Sequence, residues 1–240
     1  MSQQMQALFF DCDGVLADTE RDGHRVAFNR AFAARGLACR WSVERYADLL
    51  LTTGGKERMR RFFDEDGWPV PPSERDTLIA DLHKLKTGLF MELVGSGQLP
   101  LRPGVARLVD EALAAGLRVA VCSTSNERAV QAIIDQLGPE RASLIALFTG
   151  DVVAAKKPDP AIYILAAQTL GVQPAGCAVI EDSNNGLRAA RAAGMACIVT
   201  TSTYTSKEDF SGAARVVSEL GDPPRVQVTL DDCRAALTPA

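Results

Sequence analysis

The chain has 240 residues, 47% of them hydrophobic and 23% charged, with a formal net charge of −4. That length suits one large domain or one core with an insert, and the composition is ordinary for a soluble globular chain. The acidic balance and the absence of a Lys/Arg stripe interleaved with aromatics exclude nucleic-acid binding, and no apolar run approaches the roughly 20 residues that cross a bilayer.

Met1 to Gln6 carries no signal-peptide or transit-peptide pattern. Ala7 to Phe10 is a short, continuously apolar run, as expected of a strand buried on both faces. Asp11-Cys-Asp13-Gly14 follows it directly. From about Glu20 to Val94 the pattern is helical. Ala27, Phe28, Ala31 and Phe32 recur at helical spacing, Ser42 reads as an N-cap for a helix from Val43 to Leu51, and Lys56 to Phe63 is amphipathic. Pro72 to Asp76 reads as a helix start, with the helix running to Val94. Phe28, Phe32, Phe62 and Phe63 are expected in the core of this stretch. Gly95 to Pro100 reads as a linker.

Beyond it, helices are expected over Val105–Ala115, Asn126–Leu137, Pro160–Leu170 and Asn184–Ala193. Strands are expected over Arg118–Ser123, near Leu144–Thr149, and over Ala178–Glu181 and Ala196–Thr200. This alternation predicts an α/β fold, a doubly wound, Rossmann-like parallel sheet with an inserted helical domain. The expected boundaries are 1–18 and 100–240 for the core and 19–99 for the insert. The tail after about Leu220 gives no clear signal. Six cysteines without a C-x-x-C pair read as free thiols in a reducing cytoplasm.

Four elements carry chemistry. Asp11 and Asp13, two apart on an extended chain, point the same way at the carboxyl end of a strand, where open α/β sheets bind ligands. Ser123, Thr124, Ser125 and Asn126 lie where the next strand meets a helix, which reads equally as a phosphate site or as a helix cap. Lys156-Lys157-Pro158 is either a solvated turn or a lysine aimed by a stiff backbone. Glu181-Asp182-Ser183 ends another apolar strand, and reads either as a cap or as oxygen ligands for Mg²⁺.

In this order the four elements resemble the haloacid dehalogenase superfamily of phosphotransferases, from about residue 7 to 200. The resemblance implies that Asp11 is a nucleophile forming an aspartyl-phosphate and that Asp13 is the acid/base. It implies that Ser123 and Lys157 hold phosphoryl oxygens, with Lys157 favoured over Lys156 by its proximity to Pro158. Mg²⁺ would take Asp11, the backbone carbonyl of Asp13 and Asp182, with Glu181 bound to it or beside it. Dehalogenases and phosphonate hydrolases of the superfamily lack the second Asp, so Asp13 favours phosphate-ester chemistry.

The helical stretch resembles the superfamily's C1-type cap, with hinges near Leu16–Thr19 and Gly95–Leu101. Leu51-Thr-Thr-Gly-Gly-Lys-Glu-Arg58 reads as an anion-binding helix start or, equally, as a solvated loop. Together with Asp18-Thr-Glu20, Tyr46 and Lys84 to Thr87, it resembles the branch that includes β-phosphoglucomutase. It is more similar still to Calvin-cycle-associated phosphatases acting on xylulose 1,5-bisphosphate. That resemblance implies a clamp for a second phosphate at Thr53, Gly54, Gly55, Lys56 and Arg58. It implies sugar contacts from Glu20, His24 and Tyr46, and Lys86 near the anionic substrate. His24 lies five residues after Thr19, one more than in the relatives' pattern. The expectation is a monomeric, cytoplasmic, Mg²⁺-dependent sugar-phosphate phosphatase that takes a small-molecule sugar phosphate and neither nucleic acid nor membrane. A mutase of the same fold, a broad sugar-phosphate phosphatase, a non-catalytic sensor and a nucleotide-binding module are the alternatives. The last lacks a G-x-G-x-x-G after the first strand.

Overall fold

The computed structural model describes residues 4–52, 54–97, 99–150 and 152–237. The chain forms two compact units, one from residues up to Asp18 and from Pro100 onward, the other from Thr19–Leu99. It enters the first unit through strand β1 (Ala7–Phe10), whose four residues are all buried.

The helical unit opens with a π-helical turn, Thr19–His24, that runs into α1 (Arg25–Ala34). Next is α2 (Val43–Leu49), where the Ser42 side chain accepts the Arg45 N–H and so satisfies one otherwise orphaned donor. Then come α3 (Gly55–Asp66) and, after a 3₁₀ turn at Pro72–Glu74, the long α4 (Arg75–Gly95). Trp41, fully buried, centres the unit's core. Its ring centroid lies 4.6 Å from Phe28, 5.0 Å from Phe32, 5.5 Å from Phe62 and 5.6 Å from Tyr46. Each such pair adds about 0.5–1.5 kcal/mol beyond the area it buries, and Phe63 joins through Phe32 and Phe62.

After Pro100 the chain alternates: α5 (Val105–Ala114), β2 (Arg118–Ser123), α6 (Glu127–Ile134), α7 (Pro139–Ala142), β3 (Ile145–Thr149), α8 (Ala161–Leu170), β4 (Cys177–Glu181), α9 (Asn184–Ala192), β5 (Ala196–Thr200), β6 (Arg215–Val217) and α10 (Leu230–Ala236). The six strands form one parallel sheet in the order β3-β2-β1-β4-β5-β6. β1 and β4 are buried along their whole length, as central parallel strands covered on both faces must be. Helices α8 and α9 pack on one face, where Phe9, Ala120, Val179 and Val199 meet Ile162, Ala166, Leu187 and Ala190. Helices α5 and α10 contact β2, β4 and β5. This is the expected doubly wound, Rossmann-like sheet.

The helix expected over Asn126–Leu137 is α-helical only to Ile134 and finishes as a 3₁₀ turn. Two elements that the sequence did not disclose appear late. The edge strand β6 is three half-exposed or exposed residues long, and α10 starts on a capping box between Thr229 and Asp232. Among the described residues no helix is long and apolar enough to cross a membrane, and all six cysteines are free.

Candidate active site

β1 pairs with β2 on one side and β4 on the other, with Phe10 opposite both Val121 and Ile180. The residues that follow these three strands therefore emerge together at the carboxyl edge of the sheet. Asp11 comes first, its N–H donating to the Ile180 carbonyl at 2.9 Å. Cys12 turns inward and is fully buried. The chain then folds into a tight turn, in which the Cys12 carbonyl accepts from Leu16 and the Gly14 N–H donates to Ala17. Gly14 has φ +82°, a conformation side chains disfavour, and a Cβ there would lie 2.0 Å from Asp182 Oδ2. Only glycine lets this turn press against the Asp182 carboxylate.

Lys157 is the lysine that enters the site. Its Nζ donates to Asp11 Oδ1 at 2.5 Å, to Glu181 Oε1 at 2.7 Å and to the Cys122 carbonyl at 2.9 Å. Lys156, its neighbour, is exposed. Burial works against the charge on Lys157, but Asp11 and Glu181 overcome it and hold its pKa well above the usual lysine value. Burial pushes the Asp11 carboxyl up to about 7; Lys157 opposes that rise, and Glu181 and Asp13 add to it. Burial likewise raises Asp182, with Glu181 and Asp11 adding to the effect.

Asp13, on the same turn, accepts from Ser125 Oγ and, at 3.4 Å, from Ser123 Oγ. The Ser123 hydroxyl itself receives the Ser125 N–H at 3.1 Å. Thr124 is half-buried beside them, and Asn126 spends its side-chain oxygen capping α6 through the Arg128 N–H.

Asp11, Glu181 and Asp182 bring ligand oxygens within 4.8 Å of one another, and all three residues are buried. Three buried carboxylates around one ammonium leave an excess of negative charge, which hard oxygen donors share with a divalent cation. The donor set therefore fits Mg²⁺. Glu181 differs from the other two. Lys157 and the Tyr163 hydroxyl (2.7 Å) occupy Oε1, while the Asp182 N–H (3.1 Å) and Ser183 hydroxyl (3.5 Å) reach Oε2. Its lone pairs are engaged by protein, so Asp11 and Asp182 are the better ligands and Glu181 the group that orients Lys157. Tyr163, fully buried on α8, is a part of this network that the sequence reading missed. A tyrosine on an apolar helix face reads as core, and only the fold brings it to Glu181.

The helical unit gathers its own polar set. The Tyr46 hydroxyl donates to Glu20 Oε2 at 2.6 Å and accepts from Arg58 at 2.8 Å. Lys86 Nζ lies 3.0 Å from His24 Nδ1, and 4.8 Å and 5.3 Å from the ring centroids of Phe28 and Phe90. The five-residue interval from Thr19 to His24 is one π-helical turn, so the extra residue is absorbed without reversing the side that His24 faces. Gly54 caps α3 at φ +92°, Gly55 sits against His83 and Phe28, and Lys56 is exposed. Burial lowers the His83 pKa, with Lys86 and Lys56 pushing the same way and Glu57 opposing them. Thr53 lies outside the described residues.

Residues 5–194 match the family model for haloacid dehalogenase-like hydrolases. The chain is 58% identical to the CBBY-like protein of Arabidopsis thaliana over 96% of its own length and 74% of that protein's. It is 49% identical to Protein CbbY of Rhodobacter capsulatus, covering 88% of this chain and 91% of that one. A crystal structure of a CbbY mutant from Rhodobacter sphaeroides in complex with xylulose 1,5-bisphosphate superposes with a TM-score of 0.76 at 41% identity, covering 96% and 99% of the two chains.

Proposed function

We propose a reaction for this chain, which belongs to the haloacid dehalogenase-like hydrolase family and is a phosphoric monoester hydrolase. It is a Mg²⁺-dependent sugar-bisphosphate phosphatase that works through an aspartyl-phosphate and takes xylulose 1,5-bisphosphate to xylulose 5-phosphate. The observation that carries the reading is the Asp11–Lys157–Glu181 contact with Asp13 two residues on and Asp182 within the same cluster of oxygens.

Asp11 attacks phosphorus, the P–O bond to the sugar breaks, and Asp13 gives its proton to the departing alkoxide. Asp13 then takes a proton from water as the water attacks the acyl phosphate, releasing inorganic phosphate and restoring Asp11. Ser123 and Ser125 hold Asp13 in place for both steps, and Lys157 offsets the repulsion between the Asp11 carboxylate and the dianion. Asp11, Asp182 and the Asp13 carbonyl are the ligands we assign to Mg²⁺, which supplies positive charge against the phosphoryl oxygens. Glu20, His24, Tyr46, Arg58, Lys86 and the Thr53 to Lys56 segment are assigned to the sugar and its second phosphate. The bisphosphate bound to the Rhodobacter sphaeroides protein supports that assignment, as do the placements of Lys86 beside His24 and of Arg58 on the Tyr46 hydroxyl. The proposed role is removal of a by-product that inhibits Rubisco in the Calvin cycle. The six free cysteines support a reducing compartment such as the cytoplasm.

The test is phosphate release from xylulose 1,5-bisphosphate, ribulose 1,5-bisphosphate, fructose 1,6-bisphosphate and β-glucose 1-phosphate, each with Mg²⁺ and with excess EDTA. A kcat/KM preference for xylulose 1,5-bisphosphate and loss of activity in EDTA are expected. Glucose 6-phosphate appearing without phosphate release would make the protein a mutase, and full activity in EDTA would remove the metal from the mechanism.

A further inference from the structure

One guanidinium gathers main-chain oxygens from three separate segments around the carboxylate cluster. Arg102 donates through Nη1 to the Gly14 carbonyl and, at 3.2 Å, to that of Thr200. Through Nη2 it reaches the carbonyls of Thr201 at 2.8 Å and Ser218 at 2.6 Å. Its own backbone N–H donates to the Leu16 carbonyl at 2.8 Å. Gly14 and Leu16 belong to the turn after β1, Thr200 and Thr201 to the end of β5, and Ser218 to the segment after β6.

β4 lies between β1 and β5 in the sheet, and Asp182 follows it. Arg102 therefore ties together the two strand ends that flank Asp182. On one side Gly14 is pressed so close to Asp182 that a single added carbon would overlap Oδ2. On the other side the Ser202 hydroxyl, one residue beyond Thr201, donates to the Asp182 carboxylate, so the segments that Arg102 joins are the ones that touch Asp182 from both sides. A guanidinium suits this role because it is planar, permanently charged and carries five donors in a fixed fork. An ammonium offers three donors from one point.

We propose that Arg102 is a positioning residue for the metal-binding carboxylates: it fixes the turn after Asp11 against the end of β5 and so holds Asp11 and Asp182 at ligand spacing. This rests on the Mg²⁺ reading above. Arg107 supplies an internal comparison. It also donates to main-chain carbonyls, of Leu220, Gly221 and Val228, but in the tail segment and not at the turn after β1.

The experiment is Mn²⁺ titration followed by electron paramagnetic resonance, a readout that needs no turnover. It is run on wild type, Arg102→Ala, Arg102→Lys and Arg107→Ala, with the thermal midpoint of each recorded. Arg102→Ala is expected to bind Mn²⁺ about tenfold more weakly or worse, in the range seen when groups supporting metal ligands are removed. Arg102→Lys, which keeps the charge and loses the fork, is expected to remain clearly weaker than wild type and serves if the alanine variant does not fold. Arg107→Ala is expected to lose stability and keep wild-type affinity. Wild-type affinity in both Arg102 variants overturns the proposal, and so does an equal loss in Arg107→Ala. A wild-type chain that takes up no Mn²⁺ overturns the metal reading and this proposal with it.

Discussion

Asp11 has a raised pKa because it is buried, and that fixes how the metal-free protein responds to pH. A carboxyl at about 7 in the folded state, against 3.8 as its ordinary value, binds its proton more tightly when folded. Its contribution to stability is therefore complete below about pH 4 and is lost as pH rises through 7. Asp11→Asn carries no such charge. In EDTA, the stability of wild type relative to Asp11→Asn should fall between pH 4 and pH 8, measured by urea unfolding at each pH. A constant difference would mean that Asp11 is not destabilised by its surroundings. The same substitution should lower kcat by roughly 10⁴-fold or more, since it removes the nucleophile. Near-normal turnover would assign the attack to another group.

Packing around the site inverts a rule that holds for isolated helices. Alanine normally stabilises a helix interior by about 0.5–1 kcal/mol over glycine. Gly88, inside α4, has open space where a Cβ would go, so Gly88→Ala should raise stability by about that amount. Gly186, in the first turn of α9, would place its Cβ 1.9 Å from Cδ of Glu181, which is buried and cannot swing away. Gly186→Ala should cost about 2 kcal/mol and reduce activity by displacing Lys157's partner. Thermal unfolding of the two variants side by side checks both, and a stabilised Gly186→Ala would contradict the close packing of α9 on Glu181. The sheet was legible at this scale because β1, β2, β4 and β5 are apolar runs ending at turns. β6 was not, being three residues at an edge with little to bury. α10 carried a signal, but Thr229 pairs with an Asp at the third position and not with the usual Glu or Gln, which weakens the pattern. Asp11, Asp13, Ser123, Glu181 and Asp182 could each be singled out because they stand at or just past strand ends, and Lys157 because Pro158 and Pro160 stiffen the turn that carries it. Tyr163 and Arg102 act across the fold, from a helix face and from a connecting segment, where sequence spacing carries no information.

Each unit buries its own core, a cluster of rings around Trp41 in the helical unit and a mostly aliphatic one, with Phe9, Phe148 and Tyr163, around the sheet. The change of hydrophobic period along the chain reflects this, from buried strands to helical faces and back. The proposed division of labour gives the chemistry to the sheet unit and recognition of the second phosphate to the helical unit. Lys56→Ala should then lower kcat/KM for the bisphosphate about ten- to a hundredfold, the value of one charge-assisted contact. Hydrolysis of p-nitrophenyl phosphate should barely change. Equal losses on both substrates would move Lys56 out of the second-phosphate site. The central claim, covalent catalysis by Asp11, is tested most directly by trapping. Enzyme mixed with xylulose 1,5-bisphosphate and Mg²⁺ is acid-quenched during turnover and reduced with borohydride, which converts an aspartyl-phosphate to homoserine, and the peptides are sequenced by mass spectrometry. Homoserine at position 11 in wild type, and none in Asp11→Asn, is the predicted result. Steady turnover with no modified residue at position 11 would contradict the account.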